Sequence, residues 1–434
     1  MIIAIGAAEE RNFVTVDIVG AYLNADMKRN VNMELDKYLS SILIELYPYY
    51  KKFINQQNGC IYVKLEKALY GCVESAKLFY EHLKNTLVNF GFIMNSYDNC
   101  IFNFEEKEIQ CTIGVHVDDL LITCKNNDII NKVLQHLKNC YHDIKINYGK
   151  FHSYLGMNLC IGNKIASVDM KEMIRKIITD YGIEGKITTP ANEKLFNINE
   201  NEKILSNSEK EKFHTFTAKL LYVARKVRPD ILTAVSLLTT RVNSPNECDK
   251  LKLERVIKYL NYSIEKEITL GNIFETDGSI TIKCYIDTSH GIHNDMRGHV
   301  GCIIKIGKAS IITRSTKMKL NTKSTAETEL IGMSEESTQA LWIRNFLIDN
   351  NYKINKIIIY QDNLSTITLI EKGKPCSRNT KHINMRYFFL KDYVNKNIIS
   401  VRYLNTDSMI ADVLTKPLSG NKFNKFTDAI LNAF

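Results

Sequence analysis

The stretch "IGVHVDDLLITC", Ile113 to Cys124, sets two adjacent aspartates, Asp118 and Asp119, in the middle of an apolar run. The flanking residues suit the two strands of a buried β-hairpin, and the acids do not. Burying one unpartnered carboxylate is costly, and burying two neighbours is worse. The pair must sit at a solvated turn or against strong positive charge. For an isolated Asp pair the turn is the ordinary reading. A second apolar strand, "FVTVDIVGAYL", carries Asp17. Two strands that end in carboxylates can bring three acids together, and three clustered carboxylates stay ionised only when cations neutralise them. Oxygen-only clusters suit Mg²⁺ or Mn²⁺, and two such ions can clamp the attacking and leaving oxygens of an in-line phosphoryl transfer.

The chain has 434 residues, 45% hydrophobic and 24% charged, which provides apolar material for more than one core. Length sets a prior of two to four domains. A formal net charge of +9 is compatible with nucleic-acid binding without demanding it. Eleven cysteines form no CxxC pair or Cys/His ligand spacing, so they read as reduced, intracellular thiols. The opening "MIIAIGAAEER" lacks a basic segment and is too short for a signal peptide or a membrane span, and no later run reaches spanning length. The expectation is a soluble, intracellular protein with no membrane partner.

Along the chain no repeat of 20–50 residues occurs. "RNFVTVDI" alternates like a strand, and "YEHLKNTLVNFGF" has helical spacing. "NDIINKVLQHLKNCY" opens with an Asn/Asp cap and keeps Ile129, Ile130, Val133, Leu134 and Leu137 on one helical face. "VDMKEMIRKIITDYG" predicts a helix closed by Gly182. The polar stretch "NEKLFNINENEKILSNSEKEK" predicts a tether or boundary. Helices follow in "HTFTAKLLYVARKV", in "RPDILTAVSLLTTRV" with Pro229 in its first turn, and in "NECDKLKLERVIKYLNYSI". From about residue 275 the pattern changes. "SITIKCYIDTS" alternates, with Ile280, Ile282, Cys284 and Ile286 on one face and Thr281, Lys283, Tyr285 and Asp287 on the other. "GHVGCIIKIGKASIITRS" predicts a hairpin around Gly307. A helix near 325–349 and a strand "KIIIYQD" complete a separate α/β unit.

In order, "VTVDIVGAYLNADM", "KLEKALYGCVESAKLFY", "VHVDDLLIT", "SYLGMNL" and "KLLYVARKVRPDI" resemble the reverse transcriptase of Ty1/copia-type retrotransposons, and the resemblance runs over nearly the whole chain. It implies a multidomain α+β and α/β fold: a right-hand polymerase palm with partial fingers (1–165), a thumb-like segment (166–195), a tether and helical connection (196–274) and an RNase H-like domain (275–434). It makes Asp17, Asp118 and Asp119 the polymerase metal site. Tyr22 would lie under the incoming sugar, where a ring excludes a 2′-hydroxyl; a core aromatic is the plain alternative. Gly71 would let backbone approach the nucleotide, or serve an ordinary turn.

The C-terminal region holds a second ordered set, Asp287, Glu329, Asp362 and Asp412, on strand, helix, strand and helix, which resembles the acids of the RNase H fold. Glu327 competes with Glu329 for the ligand role, but Ser324 and Glu327 have capping-box spacing, which gives Glu327 a structural task. "KGKPCSRNTKHINMRYFFLKDY" combines basic and aromatic residues and suits phosphate contacts with stacking; the same stretch also reads as a solvated loop and helix face. On the first reading Lys381 and Arg386 would touch nucleic acid, with His382, which has a matching His in the family's "KHI" motif. Departures from the family are Glu74 and Ala76 where Gln and Pro are common, His116 where Tyr is common, and Asn384 where an acid is usual. Only sixteen residues precede Asp17, so the expectation is the C-terminal part of a longer polyprotein, or a truncated copy. The implied function is RNA-directed DNA polymerase with ribonuclease H activity, using two Mg²⁺ or Mn²⁺ ions per site and acting with an RNA template, a DNA primer, deoxynucleoside triphosphates and an RNA/DNA hybrid. The alternative is an inactive relic that keeps the fold and binds nucleic acid non-specifically.

Overall fold

The computed structural model describes residues 1–141, 143–372 and 381–432. The chain divides into two compact units, one of Val14–Met94 with Asn99–Tyr148, the other of Met1–Phe13, Asn95–Asp98 and Gly149–Phe434.

The smaller unit is built on a six-stranded sheet. Its order is Ile93–Met94, Ile101–Glu106, Ile109–His116, Asp119–Cys124, Asn12–Ile18, Ile144–Tyr148. The acid-bearing stretch is the expected hairpin, and Ile113, Leu120, Ile122 and Cys124 are fully buried in it. The helix Asn127–Cys140 is capped by the Asn126 side chain and buries Ile129, Ile130, Val133, Leu134 and Leu137, the whole face that the spacing predicts. The helix Ser75–Phe90 adds Leu78, Phe79, Leu83 and Leu87 to the same core. A small hairpin, Asn32–Leu35 with Ile61–Lys64, was not anticipated. Its strands are too short for a period to show.

The larger unit has two sheets and a set of helices. One sheet runs Ile268–Gly271, Ile165–Asp169, Met157–Gly162, Phe151–Tyr154. The helix Lys171–Tyr181 ends at Gly182 in the left-handed conformation, as expected. Asn207–Lys226 and Glu247–Tyr262 both begin with capping boxes, Ser206/Glu209 and Asn246/Asp249. Pro229 starts a 3₁₀ turn, Pro229–Ile231, rather than the α-helix itself, which is Leu232–Arg241. The buried pair of Arg228 and Asp230, 2.7 Å apart, holds that tight turn. The polar stretch 192–212 is anchored by buried Leu195, Phe196 and Leu205.

The second sheet runs Ala309–Lys317, His299–Ile306, Ile280–Ser289, Ile354–Gln361, Ile399–Tyr403. The first three strands are antiparallel and the last two join in parallel. This is the 3-2-1-4-5 order of an RNase H-like domain. A parallel neighbour requires a long crossover, and the helix Thr325–Asp349 supplies it. That helix and the turn Ile410–Leu414 both pack on the central strand. Thr281 and Asp287, on the more polar face of the alternation, are therefore buried as well.

Candidate active sites

The first set of acids lies at a hairpin tip. His116 pairs with Asp119, so the turn is only Val117 and Asp118. Val117 takes φ +56, a left-handed conformation that a β-branched residue adopts at a cost of roughly 1–3 kcal/mol. The buried strands below hold that strain. The strand Asn12–Ile18 lies beside Asp119–Cys124, and the Ile18 N–H donates to the Asp118 carbonyl at 3.1 Å. One backbone bond thus sets Asp17 next to the turn. The Asp119 carboxyl is pushed up by burial and then by the charges of Asp118 and Asp17, with His116 opposing. The three acids therefore share one field, and all three are half-buried. Across the strand pair, exposed Lys145 places Nζ 3.7 Å from Asp17 Oδ2. The Tyr70 hydroxyl donates to Asp118 Oδ2 at 3.4 Å. The Tyr70 ring lies 4.2 Å from that of Tyr22, which also meets Phe79 at 6.1 Å. Tyr22 is thus part of an aromatic row that reaches the acids. Gly71 has φ +99, with open space where a Cβ would lie.

The second set is more buried: Asp287 and Glu329 are buried and Asp362 is half-buried. Asp287, Glu329 and Asp362 bring carboxylate oxygens within 4.8 Å of one another, the only such convergence of three acids, histidines or cysteines among the described residues. Absent side chains make room for it. Gly301 pairs with Asp287 across the sheet, and a Cβ there would lie 2.8 Å from Leu414 Cβ and Thr415 Cγ2. Bare backbone lets the C-terminal segment settle, and the Thr415 hydroxyl donates to Asp287 Oδ2. Gly332 stands one turn after Glu329, and a Cβ there would come 2.6 Å from Thr288 Cγ2. The long helix can therefore approach the central strand. Gln361, fully buried, completes the frame. Its amide nitrogen donates to Glu329 Oε2 at 3.0 Å, and its carbonyl oxygen accepts from the N–H groups of Asp362 and Asn363 at 2.8 and 2.9 Å. Thr406 donates to Asp362 at 3.0 Å.

Glu327 caps the helix instead. Its N–H donates to Ser324 Oγ at 3.2 Å and its carboxylate accepts from the Lys323 N–H at 2.8 Å. Asp412, 1% exposed, does not join the trio. Its two oxygens meet Lys416 and Lys422, each at 2.9 Å, and Lys416 also reaches Asp287 Oδ2 at 3.3 Å. Burial, opposed by Lys416 and reinforced by Asp412, pushes Asp287 up to about 6. Burial and then the Asp287 charge push Glu329 up to about 8. Raised acids that share a pocket with a third carboxylate suit a hard divalent cation, whose charge would ionise them. The donor set therefore fits Mg²⁺ or Mn²⁺.

Arg386, expected to meet nucleic acid, bonds Glu335 at 2.9 Å. The side chains of Lys381 and His382 lie outside the described residues. Gln361, Thr415, Lys416 and Tyr70 escaped the sequence reading. Two of them had a local signal: Gln361 precedes Asp362, and Lys416 lies four residues after Asp412.

Residues 1–192 match the family model for reverse transcriptase (RNA-dependent DNA polymerase). The chain is 26% identical to the retrovirus-related Pol polyprotein from transposon RE1 of Arabidopsis thaliana, covering 87% of this chain and 25% of the relative. It is also 26% identical to the transposon TyH3 Gag-Pol polyprotein of Saccharomyces cerevisiae, covering 97% of this chain and 24% of the relative. The chain spans about a quarter of the length of the curated relatives it matches. A solved structure of the foamy viral protease-reverse transcriptase in complex with RNA/DNA hybrid aligns over 91% of this chain and 44% of its own, at 13% identity and a TM-score of 0.48. Residues 1–192 thus belong to the reverse transcriptase family, and the chain is a relative of the Pol polyproteins of Ty1/copia-type transposons.

Proposed function

We propose that the chain is an RNA-directed DNA polymerase and ribonuclease H, with the two chemistries at its two acid clusters. The observation that carries this reading is the convergence of buried Asp287 and Glu329 with half-buried Asp362 in a chain whose first 192 residues match a reverse transcriptase model. Asp17, Asp118 and Asp119 would hold divalent cations in the polymerase site, and Asp287, Glu329 and Asp362, with Asp412 alongside, in the nuclease site. Two bound ions per site would neutralise charge on the phosphoryl oxygens and activate the attacking hydroxyl or water.

The chain's own residues supply position. The buried hairpin strands fix the polymerase acids relative to a primer end. Tyr22, backed by Tyr70 and Phe79, would close the space beside the sugar, and Gly71 would admit nucleotide backbone. Gln361 orients Glu329. Arg386 would exchange Glu335 for a strand phosphate, beside Lys381 and His382. The partners are an RNA template, a DNA primer, deoxynucleoside triphosphates and an RNA/DNA hybrid.

The test is primer extension on an RNA template, and cleavage of a labelled hybrid, by the purified chain with Mg²⁺ or Mn²⁺. Both should vanish with chelator. If the folded chain shows neither activity in either ion, the reading fails and the relic alternative stands. Within this reading, Tyr22→Ala should raise ribonucleotide relative to deoxynucleotide incorporation. Unchanged discrimination with synthesis intact would make Tyr22 a core residue only.

A further inference from the structure

The helix Glu247–Tyr262 carries Lys252, Arg255 and Lys258 at intervals of three, so they share one face. Like charges one turn apart repel, and something must offset them. Two other basic residues at this helix are paired: Lys250 with Glu209 at 2.9 Å and Arg241 with Asp249 at 2.9 Å. Among the described residues no acid forms an ion pair with Lys252, Arg255 or Lys258, and Lys252 Nζ donates only to the neutral Asn197 carbonyl, at 2.7 Å. This face lines a cleft of 720 Å³ whose other wall is the segment 187–199, which adds Lys194. Glu254 is the one acid among the residues that line it, and its carboxylate accepts from the Tyr181 hydroxyl at 3.3 Å.

Arg255 is the centre of the imbalance. It is half-buried. One terminal nitrogen donates to Thr189 Oγ1 at 2.9 Å, and the Thr189 hydroxyl is committed to the Ala191 carbonyl at 3.0 Å. Its Nε is buried and has no acceptor. Burial pulls its pKa down, with no acid among the causes. A guanidinium taken out of water normally has a carboxylate or carbonyl partner for each edge. Here the unmet demand is for an oxyanion with several acceptor atoms.

We propose that this cleft binds a phosphate group, with Arg255 as the central donor and Lys252 and Lys258 beside it. The guanidinium fork matches phosphate geometry, and an oxyanion in the cleft would give this half-buried charge the anionic partner it lacks. Apolar Leu195, Leu251 and Pro190 in the same walls leave room for the organic part of a phosphoester. The phosphate could belong to a nucleic-acid strand or to a small free phosphate. The proposal does not depend on either metal cluster.

The experiment uses the full chain and inorganic phosphate, titrated at constant ionic strength and followed by thermal shift and calorimetry. Phosphate should stabilise the wild type. Arg255→Gln should weaken binding by tenfold or more, while Lys176→Gln, an exposed lysine on another helix, should leave it unchanged. Phosphate should also slow acylation of Lys252 and Lys258 in the wild type, a readout that survives if Arg255→Gln does not fold. A second arm uses a single-stranded RNA 12-mer. If the strand is the source, Arg255→Gln and Lys258→Gln should each flatten the salt dependence of RNA affinity by about one phosphate contact. If RNA affinity is unmoved while the phosphate effect persists, the source is a free phosphate. The proposal is overturned if neither phosphate nor RNA protects the two lysines, or if folded Arg255→Gln binds both as the wild type does.

Discussion

The two acid clusters are built in opposite ways. Asp17, Asp118 and Asp119 owe their proximity to backbone, through a two-residue turn and one N–H to carbonyl bond between strands. They remain half-buried, with exposed Lys145 near Asp17. Asp287, Glu329 and Asp362 are placed by side chains that bond them, Gln361 and Thr415, and by side chains that are missing, at Gly301 and Gly332. Water screens the first cluster and is largely excluded from the second, where burial raises Asp287 to about 6 and Glu329 to about 8. Carboxylates thus stand in one region at an open tip and in the other in a pocket where burial favours their protonated form.

The largest expected effect breaks the comparison at its root. If the sites are independent, Asp118→Asn should cut primer extension by roughly a thousandfold and spare hybrid cleavage, and Glu329→Gln should do the reverse, since each removes charge worth several kcal/mol in the transition state. Loss of both activities from either single change, in folded protein, would unite what is here held apart. A smaller effect probes how the more buried pocket is built. Gly332→Ala should push the long helix off the central strand, cost about 1–3 kcal/mol in stability, and lower hybrid cleavage at least about tenfold with primer extension kept. Equal loss in both assays would show that the close approach at Thr288 is not specific to the nuclease site.

The smallest effect concerns protons. Glu329 keeps its proton up to about pH 8 when folded, but loses it near 4.3 when unfolded. Between those values the folded state binds more protons, so without metal, stability falls as pH rises. From about pH 6 to about pH 9 the melting temperature should drop by a few degrees, and Mn²⁺ should restore it at the upper end. Glu329→Gln should lack this drop. A wild-type melting temperature that stays level without metal would mean that the second cluster is as open as the first.

What the sequence makes legible follows from what is local. The apolar face of Asn127–Cys140, the left-handed cap at Gly182 and the acid hairpin all rest on short-range spacing, and each is found where it is expected. The acids of the second cluster stand out only as an ordered set that resembles the acids of the RNase H fold, and Glu327 yields to Glu329 because its capping role is readable. Other features depend on contacts between distant segments. Gln361 meets Glu329 across 32 positions and Thr415 meets Asp287 across 128. No periodicity announces such bonds. Arg386 illustrates the converse, since its basic character is visible in sequence while its bond to Glu335 is not.

The lysines around Asp412 bear on the order of assembly. Lys416 and Lys422 lie four and ten residues after Asp412 in the same segment. That piece of chain is charge-balanced before it docks, so its folding need not wait for an ion. Asp287 is bonded by Thr415 and Lys416 only when the segment arrives. The chain itself thus supplies positive charge beside Asp287 and Asp412, so docking of this segment requires no ion.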